Sequence, residues 1–356
     1  MNIFPQRLRS GNSAIAKTTP HLTILGLTCA QIPLNYCVLK NWLAQIIDIR
    51  KCQVAYNCVV LIKQVPDTKR ITGQAMNEDG TVNRSALPAI FNPEDLNALE
   101  MALEIKDKFG GTVTAITMGL PGAARILRDS LFRGADDTIL ITDVRCAASD
   151  TLATSYIISR AVKKIDYDIV LCGRQAIDGD TAQVGPQLAE KLGITQITYV
   201  EQLLELNGKT ITARRNIGNG WQKVKAKLPV LLTVTGQANE PRVAAAKKMM
   251  KYKNAFTAAE VEQQIKALNP SADAAAIKEL TEQRCGLLKK KGLLIKQWNL
   301  DFIGADLNWC GRSGSPTKVH RIQSVVLAAK ESKSVEPTDS GISNMIHELI
   351  KDKTIA

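Results

Sequence analysis

From Cys58 onward the chain alternates short apolar runs with longer stretches of helical period. Four runs, at 59–62, 112–118, 138–141 and 168–172, are almost unbroken in Val, Ile, Leu and other small or apolar residues, the pattern of strands buried on both faces. Between the first two, Asn92 followed by Pro93, Glu94 and Asp95 predicts a helix start, and Leu96, Leu99 and Leu103 give that helix its apolar stripe. Residues 121–133, closed by Gly134, and 150–164 predict two more helices. Such alternation implies parallel strands joined by right-handed crossovers, hence an α/β fold with a doubly wound, mostly parallel sheet covered on both faces. In sheets of this kind ligands bind outside the carboxyl ends of the strands.

After the fourth run the texture changes. Residues 203–205 and 210–213 flank Asn207-Gly208, a hairpin signal, and 228–234 reads as a further strand, so the sheet gains an antiparallel edge. Beyond Glu240 the chain is polar and rich in lysine. Residues 258–291 favour helix, broken at Asn269-Pro270, and 340–353 form an amphipathic helix through Ile342, Met345, Ile346, Leu349 and Ile350. Three regions are therefore expected: 1–56 as an unpatterned extension, 57–240 as the nucleotide-type domain, and 241–356 as an extended C-terminal arm that needs a partner surface. In the extension Asp48 is the only acid. A transit-like leader fits residues 1–17, and a start codon placed too far upstream gives the same unpatterned look, which is the favoured reading. A membrane-spanning helix is disfavoured, because Gln31, Pro33, Asn35, Lys40 and Asn41 interrupt the stretch from 22 to 49.

Charge and composition narrow the function. The net charge is +12, but the basic residues gather at 242–253 and 284–296, and aromatics are only 4% of the chain and do not interleave with them. Stacking platforms beside a cationic groove are thus lacking, and nucleic acid is not an expected partner. Eight cysteines lie scattered without a C-x-x-C pair, which points to reduced thiols in the cytoplasm, with the mitochondrial matrix as the alternative, and to no metal site. His21, His320 and His347 fall outside the sheet region, so histidine acid–base catalysis is not expected. No phosphate-loop lysine motif, nucleophile elbow or H-E-x-x-H is present.

What remains is three loops at strand carboxyl ends. The first holds Lys63, Gln64, Val65, Pro66 and Asp67, and the second is Gly119-Leu120-Pro121-Gly122. The third runs from Cys172 to Pro186 and combines three glycines, Arg174, the acids Asp178 and Asp180, and the hydroxyl of Thr181 ahead of a helix. It offers amide donors at a helix N-terminus for a pyrophosphate, a cation for its charge, and carboxylates for ribose hydroxyls. On spacing alone, a divalent-metal turn or a plain capping loop stays open.

This third loop is similar to the signature of the electron-transfer flavoprotein β-subunit family. The resemblance runs from about Asn57 to the C-terminus and includes the stretch from Val59 to Thr68, then Phe91-Asn92-Pro93-Glu94-Asp95 with Ala98 and Glu100. It continues through Met118-Gly119, Gly134-Ala135-Asp136, Asn239-Glu240-Pro241-Arg242 and Gly314-Ser315-Pro316-Thr317. It implies a Rossmann-like adenine-nucleotide-binding domain whose cofactor contacts are Leu61, Asn92, Pro93, Glu94, Asp95, Met118, Arg174, Gln175, Ala176, Ile177, Asp178, Gly179, Asp180, Thr181, Ala182, Gln183, Val184 and Gly185. It also implies an obligate α-subunit partner and a flavin dehydrogenase such as the acyl-CoA dehydrogenases of fatty acid oxidation. The segment after Pro241 then faces that dehydrogenase; Ala246 stands where the family often has an anchoring leucine, and an atypical helical insertion follows. Family members hold either a structural AMP or a second FAD that accepts a hydride from NADH and divides its two electrons between acceptors. The small residues around Gly179 resemble the FAD-holding, bifurcating type.

Overall fold

The computed structural model describes residues 54–67, 88–317 and 334–351. The reading of the N-terminal extension up to residue 53 lies outside them, as do Thr68 and His320. The described residues belong to one compact unit that begins at Gln53. Tyr56, placed by its sequence in the extension, is in fact core: its side chain is buried and its hydroxyl donates to Gly208 O at 3.1 Å.

In chain order the elements are β1 (Cys58–Leu61), β2 (Gln64–Pro66), β3 (Ala89–Phe91), α1 (Pro93–Phe109), β4 (Val113–Met118), α2 (Ala124–Arg133), β5 (Asp137–Ile141) and α3 (Thr151–Val162). There follow β6 (Ile169–Gly173), α4 (Val184–Leu192), β7 (Thr195–Asn207), β8 (Thr210–Asn216), β9 (Trp221–Lys227) and β10 (Val230–Val234). The last part comprises α5 (Ala246–Tyr252), α6 (Ala258–Leu268), α7 (Ala274–Lys290), β11 (Lys296–Trp298), α8 (Leu300–Ile303) and α9 (Asp339–Lys351).

Nine strands form the main sheet in the order β11-β5-β4-β1-β6-β10-β7-β8-β9. The pairings from β11 to β7 are parallel, and β7-β8-β9 is antiparallel. The chain moves from β1 outward to β4 and β5, then returns to start β6 on the other side of β1. Strand order therefore reverses between β1 and β6, and a crevice opens at their carboxyl ends. Alternate residues of each strand face opposite layers, as strand geometry requires: Val60 and Ala115 pack with Leu99, Leu103 and Leu127 of α1 and α2, while Val59 and Ile116 pack with Ile157, Ala161 and Leu188 of α3 and α4.

The expected hairpin is present with its turn one residue later than the signal: Asn207 pairs with Thr210, leaving Gly208 and Lys209 as the turn, and Gly208 takes φ +56°. The C-terminal arm differs more from its sequence reading. β11 adds to the edge of the sheet beside β5, and Ala255, Val261, Leu288, Ile295, Leu300 and Ile303 are buried, so much of the stretch from 255 to 310 packs on the sheet's own domain. Three residues, Lys-Gln-Trp, are too few and too polar to show strand period. The helical pair α6 and α7 brackets the predicted break at Asn269-Pro270, and Arg242 ties the start of the arm to α1 through Glu100 Oε1 and Oε2, at 2.9 to 3.0 Å. On α9, by contrast, no side chain is buried. Among the described residues no helix is long and apolar enough to cross a membrane.

Candidate functional site

The crevice is closed at its base by one carboxylate. Asp95, in the first turn of α1, accepts from Lys63 N at 2.8 Å and from Gly173 N at 2.9 Å, joining the chain just past β1 to the end of β6 at the point where strand order reverses. Burial raises its pKa from the ordinary carboxylate value to about 7, against the opposing effect of those hydrogen bonds and of Lys63. Only glycine fits at 173: a Cβ there would lie 2.5 Å from Asp95 Oδ1 and 2.9 Å from the backbone of Glu94. Burial also pushes the neighbouring Cys172 thiol up, with Asp95 and Glu94 adding to the effect, so this is an inert core cysteine.

Two further residues of the same helix start hold the loop that follows β6. Asn92 stands at the N-cap position of α1, but its side chain does not cap that helix. It donates from Nδ2 to Gln175 O at 2.9 Å and accepts at Oδ1 from Ile177 N at 3.2 Å. Glu94 accepts from Gln175 N at 3.0 Å and pairs with Arg174 at 3.0 Å. The acids and cation that the sequence offered to a ligand are thus engaged within the protein: Arg174 with Glu94, Asp178 with Lys63 Nζ at 2.7 Å, and Asp180 with Gln175 Nε2 at 3.1 Å. Pro93 takes the first helical turn, where its missing N–H costs nothing.

From Ala176 the loop turns tightly. Ala176 O accepts from Asp180 N at 3.0 Å, and the left-handed positions fall at Asp180, φ +49°, and Ala182, φ +53°, not at Gly179. Gly179 instead faces open space, with nothing within 4 Å of an added Cβ. Thr181 is exposed. Gln183 accepts from Thr151 Oγ1 at 3.0 Å, linking the loop to the start of α3. α4 then begins at Val184 with no capping side chain and no acid in its first turn. Gly185 serves packing: a Cβ there would meet Cys172 Sγ and Thr233 Cγ2, each at 2.9 Å, so the glycine lets α4 lie close against the sheet.

Leu61 and Met118 end the adjacent strands β1 and β4 and pack in the same apolar layer. After Met118, Gly119 N donates to Ile141 O at 3.0 Å, and Pro121–Ala123 makes a short 3-10 turn into α2, with open space at Gly122. The structure thus brings Asn92 and Glu94 into direct contact with Arg174, Gln175 and Ile177, ties Asp95 to Gly173, and sets Leu61, Met118 and the start of α4 at neighbouring carboxyl ends. Sequence reasoning passed over Lys63, Gly173 and Thr151 as site residues, although Lys63 and Gly173 lay in loops already singled out.

An uncapped helix N-terminus beside a braced loop suits a phosphate, since its amides and the helix dipole both favour an anion. The residues present fit an adenylate-bearing group: the start of α4 supplies donors, and Gly122 and Gly179 leave space for backbone approach. Among the described residues no group of three or more His, Cys, Asp or Glu side chains is placed to hold a metal ion.

The sequence profile of the electron transfer flavoprotein domain matches residues 79–276. The chain is 41% identical over 265 residues to the electron transfer flavoprotein subunit beta of Clostridium acetobutylicum, which spans 74% of this chain and 86% of that protein. It is 46% identical over 187 residues to the acryloyl-CoA reductase electron transfer subunit gamma of Anaerotignum propionicum, covering 51% of this chain and 69% of that one. It is 35% identical over 300 residues to the protein FixA of Sinorhizobium fredii, covering 82% and 91%. Together with the switch-point crevice and its braced loop, these matches place the chain in the electron-transfer flavoprotein β-subunit family.

Proposed function

We infer that the chain works in the cytoplasm, or alternatively the mitochondrial matrix, as the β subunit of a heterodimer with an electron-transfer flavoprotein α subunit. In that assembly it holds FAD and takes part in passing electrons between partners; it transforms no substrate alone. The observation that carries this reading is the uncapped start of α4 behind a loop that Asn92 and Glu94 fasten to α1, with Asp95 fixing the strand ends beneath. Flavin, when bound, supplies the redox chemistry; the protein supplies position and electrostatics. The loop amides and the α4 N-terminus hold phosphate, Asn92 and Glu94 keep the loop in its binding shape, and Leu61 and Met118 form an apolar floor.

The donor is a flavin dehydrogenase of the acyl-CoA dehydrogenase type, or NADH if the protein is electron-bifurcating. The name of the Anaerotignum relative supports a partner that acts on CoA thioesters. The open space at Gly179 favours FAD, and with it bifurcation, over the alternative of a structural AMP. The terminal helix α9, with Ile342, Met345, Ile346 and Ile350 all exposed, is assigned to the α subunit as its covering surface. Coexpression with the α subunit and extraction of bound cofactor test the reading. Two FAD per heterodimer are expected; one FAD with one AMP would replace the bifurcating reading by the AMP form, and a stable heterodimer whose β subunit carries neither would overturn both.

A further inference from the structure

Beyond the carboxyl ends of β8 and β10, beside Tyr199 of β7, lies a depression of about 530 Å³, well within the size range of small-molecule sites. Glu94 and Arg174 form part of its wall, and Tyr199, Arg215, Ile217 and Thr235 are among the other residues that line it. Apart from Glu94 and Arg174, the cofactor reading uses none of this lining.

Three arginines lie on or beside this depression, and two of them are matched. Arg174 pairs with Glu94 at 3.0 Å and lies 5.7 Å from the ring of Tyr199, and Arg214 pairs with Glu201 at 3.0 Å. Arg215 is different. Among the described residues its guanidinium bonds only to Thr198 Oγ1, at 2.9 Å, and its Nε is buried with no partner. A half-buried cation without a counter-ion retains its demand for oxygen acceptors, and a guanidinium meets a carboxylate or phosphate through two parallel bonds.

Tyr199 adds an independent observation. Its φ of +59° is a left-handed conformation that a bulky aromatic residue adopts only under constraint, and Thr233 Oγ1 holds it there by accepting from Tyr199 N at 3.0 Å. The register between β7 and β10 slips at this point, and Tyr199 is left 39% exposed at the wall of the depression. Backbone strain retained beside a cavity marks a place where geometry serves binding.

We propose that this depression binds a small planar organic anion, whose carboxylate or phosphate oxygens pair with Arg215 and whose flat face lies against Tyr199. The test is isothermal titration of the full chain with phenyl phosphate and with benzoate, phenol serving as the uncharged control, in the presence of saturating AMP. AMP occupies the loop after β6, so failure of AMP to bind counts against the cofactor reading alone. Saturable binding of at least one anion is expected, with none for phenol. Arg215→Gln should weaken it about tenfold or more, the loss of one charge-assisted contact, whereas Arg214→Gln should change it less than about threefold. Ile217→Glu, at an exposed rim position, should weaken it comparably and decides the matter if Arg215→Gln does not fold. The proposal is overturned if neither anion saturates, including the case where Arg215→Gln affects only association with an acidic partner protein. It is equally overturned if folded Arg215→Gln binds like the wild type.

Discussion

Gly173→Ala should lower stability by about 3 kcal/mol, the upper part of the range for forcing a methyl group into a packed site, and so the melting temperature by roughly 10 °C. The added Cβ would sit 2.5 Å from Asp95 Oδ1 and 2.9 Å from Asp95 N, and the atoms it meets belong largely to the first turn of α1. Backbone cannot swing aside as a side chain can, so α1 must shift off β6, and the Asp95 contact to Gly173 N goes with it. Cofactor content should fall in parallel, because Asn92 and Glu94 travel on the same turn. Gly179→Ala is the control. Nothing lies within 4 Å of its Cβ, so its stability should stay within about 0.5 kcal/mol of the wild type. Urea unfolding of the two variants side by side measures the contrast; equal losses would show that the approach of α1 to β6 is not what the glycine protects.

The second large effect is a pH dependence that belongs to Asp95. Its folded pKa of about 7 lies above the 3.8 of an ordinary aspartate, which applies once the chain unfolds. Between those values the folded protein keeps a proton that the unfolded chain has released, so this residue's contribution to stability falls as pH rises from about 4 to about 7 and is constant above that. Asp95→Asn cannot ionise and lacks this slope. It also presents only one acceptor to two backbone donors, leaving one N–H unmatched at a cost of about 1–3 kcal/mol. The stability advantage of wild type over variant should therefore be greatest near pH 4.5 and shrink toward neutrality, by up to about 1.4 kcal/mol per pH unit. Taking the difference cancels carboxylates common to both proteins, such as Asp143, whose pKa Arg145 holds down at about 2. Parallel stability curves across that range would remove Asp95 from the account.

The central strands and the helices α1 to α3 were legible because burial on both faces leaves a continuous apolar run in sequence, and helix starts carry local chemistry. The edges were not. β9 reads Trp-Gln-Lys-Val-Lys-Ala-Lys and β11 Lys-Gln-Trp, and both gain strand form from a neighbour's hydrogen bonds, which no window of residues reports. At the site, glycines ahead of a helix marked the loop after β6 as a candidate for cofactor binding. Its left-handed residues went unread, because Asp180 and Ala182 adopt by context what glycine adopts by freedom. Asn92 was legible as a helix start and illegible as a brace, since the loop it holds is 83 to 85 residues away. The same distance hid Asp95, whose two partners are 32 residues before it and 78 after it. Local rules predict a cap there; only the folded sheet brings β1 and β6 together and turns an acid in a first helical turn into a clamp.

Hydrogen–deuterium exchange of residues 174–185, compared between cofactor-loaded and cofactor-stripped protein, tests most directly whether this loop and the start of α4 hold the adenylate-bearing group. Amides that donate to a bound phosphate should exchange about tenfold more slowly or better in the loaded state, a protection on the scale of one charge-assisted hydrogen bond, with little change at β8 and β9. A loaded protein in which residues 174–185 exchange as fast as in the stripped one would contradict the account.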